Sequence, residues 1–109
     1  MNVVAYAIIA VWIVSAGDHY TTWAMLQAPV PGFDVTEANP VARWLFSTFG
    51  LVGGLAVDSV FTFLAGLWMY ETSMFTEKLK ILWCLAVIVG TAYAIHNNVQ
   101  ALYATGVWQ

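Results

Sequence analysis

The chain has 109 residues, three Lys plus Arg, six Asp plus Glu and a formal net charge of −3. Hydrophobic residues make up 61% and charged residues 8%, against about 25% charged in an ordinary soluble domain, so the surface is built for lipid rather than water. So few basic residues exclude a nucleic-acid partner, and the single cysteine, Cys84, excludes a disulfide framework and a multi-cysteine zinc site.

A helix needs about 20 apolar residues to cross a bilayer core of about 30 Å. Three segments meet that length, at about 3–26, 44–70 and 79–103. They predict an all-α integral membrane protein with three transmembrane helices in an up-down-up bundle, one membrane domain over 1–109. The runs are continuous, whereas barrel strands would alternate over about ten residues. In the first span, "VSA" at 14–16 has the look of a cleavage site, but no basic region precedes the apolar run, so the segment reads as a retained helix.

The first linker, "QAPVPGFDVTEANPVAR", holds all three prolines and stops helix one. Asn39-Pro40 then reads as an N-cap followed by a first-turn proline opening helix two. The second linker, "YETSMFTEKLK", carries four of the nine charged residues. Thr76 can cap helix three, with Glu77 in its first turn. Lys78 and Lys80 lie in the second linker and Arg43 is alone in the first. The positive-inside rule therefore puts the amino terminus in the cytoplasm and the carboxyl terminus outside.

The polar residues inside the spans attract most interest. On helix one, Ser15, Asp18 and Thr22 share a face, with Thr21 alongside and His19 next in sequence. On helix two, Gly50, Gly54, Asp58, Thr62 and Gly66 recur every fourth residue, a small-residue stripe suited to close packing. On helix three, Gly90, Tyr93, Asn97 and either Gln100 or Ala101 form a comparable face, flanked by His96 and Asn98. At 1.5 Å per residue Asp18 and Asn97 fall outward of the middle of their spans and Asp58 near the middle of its own, so the three share the outer half of the bilayer. An intramembrane polar cluster of Asp18, His19, Thr22, Asp58, His96 and Asn97 is therefore expected, with Gly50, Gly54, Thr62, Gly66 and Gly90 as packing positions. Glu37 could fold down onto the cluster from the first linker.

"D-H-Y-T-T" in helix one, followed by "E-A-N-P" before helix two, resembles an uncharacterised family of small bacterial and archaeal multi-span membrane proteins. The residues that carry the resemblance are Asp18, Thr21 or Thr22, Glu37, Asn39 and Pro40. It implies a shared helical architecture and no particular activity. Family members often carry a basic residue in helix two, where this chain has Asp58.

Three functions compete. The first is a structural or accessory subunit of a larger cellular or viral membrane assembly, whose partners are the bilayer and either other membrane-protein helices or copies of itself. The second is an oligomeric cation or proton pore, or a holin-like channel, lined by Asp18, Asp58 and the Asn97 face. The third is an intramembrane enzyme using Asp18, His19, Glu37 and His96. No nucleophile or zinc-protease motif supports the third, so no enzymatic activity is expected. No cofactor is expected either. Haem or a divalent metal held by His19 and His96 is the minor alternative.

Overall fold

The computed structural model describes residues 3–26 and 40–108. They form three helices: α1 over Val3–Leu26, α2 over Pro40–Glu71 and α3 over Glu77–Ala104. Each is long and apolar enough to cross a membrane. Asn39 and Glu37 lie outside the described residues, while Pro40 is helical. The start of α3 is capped as its sequence predicts: the Thr76 hydroxyl accepts from the Leu79 amide at 3.2 Å. Lys80 Nζ donates to the Tyr70 carbonyl at 3.0 Å, placing a cation on the last turn of α2.

The central helix is α1. It packs against both α3 and α2, and more extensively against α3, whereas α2 and α3 have little mutual contact. The result is flattened, 50 × 29 × 20 Å. A heptad explains the α1–α3 seam. On α3 the inward positions are Ile81, Cys84, Ile88, Thr91, Ile95, Asn98 and Leu102, spaced alternately by three and four residues. On α1 the matching series is Val4, Ala7, Val11, Val14, Asp18, Thr21 and Met25. A 3.5-residue repeat keeps one stripe of each helix facing the other. The seam closes fully at Cys84 and Leu102, both 0% exposed. Its apolar end is a core of Val4, Ile8, Val11, Met69 and Cys84, and its polar end lies toward Asp18 and Asn98.

The single second span differs from its expected form. Gly50 has φ 79° and ψ 170°, so α2 breaks there. A β-carbon at Gly54 would sit 3.1 Å from the Leu45 carbonyl carbon and oxygen. Along a straight helix a nine-residue separation is about 13 Å. The segment 40–49 therefore folds back onto 51–71 at Gly50. Residues 51–71 alone still rise about 30 Å. Gly50 thus serves the break rather than a helix–helix contact, and it is exposed.

That backbone geometry is open essentially to glycine alone. Gly50→Ala should destabilise the fold by about 1–3 kcal/mol. Unfolding in mixed detergent micelles measures this, and an unchanged midpoint would refute the fold-back.

Candidate functional site

Six polar residues were expected to form one cluster. The structure divides the helix-one members between two separate networks, and the split follows from α1 itself. Asp18 and His19 are adjacent, so they point about 100° apart.

Asp18 faces α3. There the Asn98 amide nitrogen approaches three oxygens: Asp18 Oδ1 at 3.2 Å, Thr21 Oγ1 at 3.0 Å and Thr22 Oγ1 at 3.1 Å. Thr21, Thr22 and Asn98 are all buried. The Thr21 hydroxyl proton is engaged with the carbonyls of Gly17 and Asp18, at 3.0 and 3.1 Å. Its lone pairs are then free to accept from Asn98. An amide has two N–H bonds, so the three acceptors share two protons.

His19 faces α2. Its Nε2 lies 2.8 Å from Asp58 Oδ2, and its Nδ1 lies 2.9 Å from Ser59 Oγ. Ser59 Oγ also lies 2.8 Å from the Leu55 carbonyl. Ser59 has one proton for two acceptors. A ring with a single N–H, given to Asp58, takes the Ser59 proton at Nδ1. A ring protonated at both nitrogens donates to Ser59, which then donates to Leu55. The same heavy atoms thus accommodate two proton arrangements. The His19 side chain is 15% exposed, and that of Asp58 is 45% exposed.

Next to this pair, α1 and α2 flank an open groove of about 200 Å³. Trp12, Ser15 and His19 line one wall, and Ser59, Thr62 and Phe63 line the other. The Trp12 and Phe63 rings lie 4.7 Å apart at a 32° tilt. Gly66 is required behind them, because a β-carbon there would come 2.5 Å from Trp12 Nε1. That indole nitrogen is buried without a hydrogen-bond partner.

The remaining expected residues fall elsewhere. Thr62 lines the groove rather than the α1–α2 contact, and Gly54 lies under Leu45 and Phe46. Gly90 has open space around it. His96 and Asn97 are exposed on the outer face of α3 and do not join either network. Asn98, expected only to flank that face, is the residue turned inward. The signal for it was the heptad from Ile81 to Leu102, which the small-residue pattern around Gly90 obscured. Both nitrogens of His19 are engaged by Asp58 and Ser59. Among the described residues no group of three His, Cys, Asp or Glu is placed to hold a metal.

Comparison with known proteins adds no template: no family model, curated protein or solved structure matches this chain.

Replacing Asn98 by Ala should cost about 0.6–1.7 kcal/mol, the average-to-maximum range for interhelical hydrogen bonds in a membrane protein. Asn97→Ala should cost no more than about 0.5 kcal/mol, because the exposed side chain has no partner within the described residues to lose. Reversible unfolding of both variants in bicelles gives the comparison, and equal losses would contradict the assigned orientation of α3.

Proposed function

We propose that the chain is a multi-pass membrane protein that acts as a structural or accessory subunit, docking other transmembrane helices on the outer face of α3. The observation that carries this reading is the direction of His96, Asn97 and Gln100. All three are exposed and, with Tyr93, lie at helical spacing on one face. Among the described residues the side chains of His96 and Asn97 make no hydrogen bond within the protein. Polar groups in hydrocarbon require a partner, which a neighbouring helix can supply. Gly90, with open space above it, allows that helix to approach closely.

An up-down-up insertion fits the order of contacts. The start of α1 meets Met69, late in α2, and Cys84, early in α3. Farther along α1, His19 reaches Asp58 and the Thr21–Thr22 pair reaches Asn98. Aromatic groups gather at the two ends. Trp108 lies 6.4 Å from Tyr20 and 6.1 Å from Tyr103, and Trp68 lies 6.1 Å from Phe75. Such rings favour membrane interfaces. With the lysines of the second linker inside, the amino terminus is cytoplasmic. The resemblance in "D-H-Y-T-T" and "E-A-N-P" agrees with this architecture and leaves the activity to be read from the residues.

A pore made of several copies is the second reading, and it draws on the half-exposed Asp58 carboxylate.

Native mass spectrometry of the protein released from its own membrane in mild detergent separates these readings. We expect a complex of fixed stoichiometry with another membrane protein, lost on Gly90→Leu. A homo-oligomer would move the assignment to the pore, with ion flux in liposomes as its next test. A monomer in both the parent and the variant would overturn both readings.

A further inference from the structure

We infer that the groove between α1 and α2 is a binding site for a membrane-soluble ring compound bearing carbonyl oxygens, of the quinone class. The site is distinct from the α3 face and does not depend on that face having a partner. It uses only the membrane placement of the helices.

Four observations lead there. The first is position. Ser15 lies near the middle of α1 and Thr62 near the middle of the 51–71 segment, so the groove opens near the bilayer midplane. Lipid headgroups are about 15 Å away, at the edge of a 30 Å core. A ligand that enters laterally at that depth must be soluble in hydrocarbon.

The second is size. The groove measures about 200 Å³. A 150 Å³ apolar cavity takes benzene, so about 200 Å³ suits one substituted six-membered ring.

The third is unfilled hydrogen-bonding capacity. Helical serines and threonines commonly bond back to the preceding turn. Thr21 and Ser59 do so here. Among the described residues the Ser15 and Thr62 hydroxyls have no partner. They come from opposite walls of the groove. Two unpartnered donors, one on each wall of a ring-sized groove, suit two carbonyl oxygens on opposite sides of a ring. A carbonyl brings no donor of its own that would need satisfying in hydrocarbon.

The fourth is the wall chemistry. Trp12 and Phe63, in contact with each other, line the groove with aromatic groups against which a planar ring can pack. His19, supported by Asp58 and Ser59, stands at the same groove and can donate or accept a proton near a bound oxygen.

The test uses the full chain in lipid nanodiscs and a short-tailed azido-benzoquinone as a photoprobe. Peptide mapping should place the label within 12–19 and 59–66. Unlabelled short-tailed benzoquinone should compete, and the cyclohexane analogue without carbonyls should not. Losing one typical hydrogen bond weakens binding about fivefold, so Ser15→Ala and Thr62→Val should each raise the competing concentration by about that factor. Ser15→Thr and Thr62→Ser, which keep the hydroxyls, should restore it and so exclude a general loss of fold. Labelling spread along all three helices, equal competition by the carbonyl-free analogue, or unchanged binding in the Ala and Val variants would overturn the assignment.

Discussion

Asp18 and His19 are consecutive, and a helix sends consecutive side chains about 100° apart. In this protein that angle is what joins the three helices. Asp18, with Thr21 and Thr22, turns toward α3 and meets Asn98. His19 turns toward α2 and meets Asp58. Helices α2 and α3 have little contact of their own, so α1 holds both. In hydrocarbon the apolar surfaces supply no strong preference for one neighbour over another, and packing and polar contacts set the arrangement. A pair of adjacent polar residues on the middle helix therefore specifies two interfaces at once.

The division of labour along α1 follows the same logic. Toward its start the contacts are apolar and close-packed, around Val4, Ile8 and Val11. Toward its end they are hydrogen-bonded. A polar residue at one heptad position selects register at some expense of stability, and Asn98 occupies such a position on α3. The seam reaches 0% exposure at Cys84 and Leu102, on either side of it. Good packing there limits the alternatives that Asn98 must discriminate against.

The α2 side is looser. Its contact with α1 runs through Gly66 under the Trp12 ring and through the His19–Asp58 pair. Between those two contacts the helices part around the groove. The break at Gly50 removes 40–49 from the line of the span and leaves a segment matched to the thickness of a bilayer core. Among the described residues, the unpartnered Ser15 and Thr62 in the groove and His96 and Asn97 on α3 are polar groups that the fold leaves available.

The helices were legible in the sequence because hydrophobic run length needs no knowledge of neighbours. A backbone in lipid must pair with itself, so an apolar run long enough to cross a bilayer predicts a helix. The Thr76 cap was legible for the same local reason. The break at Gly50 was not, since a glycine in an apolar helix reads equally well as a packing position. Nor was the partition of the polar residues. Asn97 and Asn98 differ by one position and have the same composition. Which one turns inward depends on the phase of the heptad against α1, a relation between residues 80 positions apart in the chain. The sequence by itself determined three helices and the chemistry they carry. Only the tertiary structure decided which of those polar groups satisfy one another, because that depends on the rotation of each helix about its own axis.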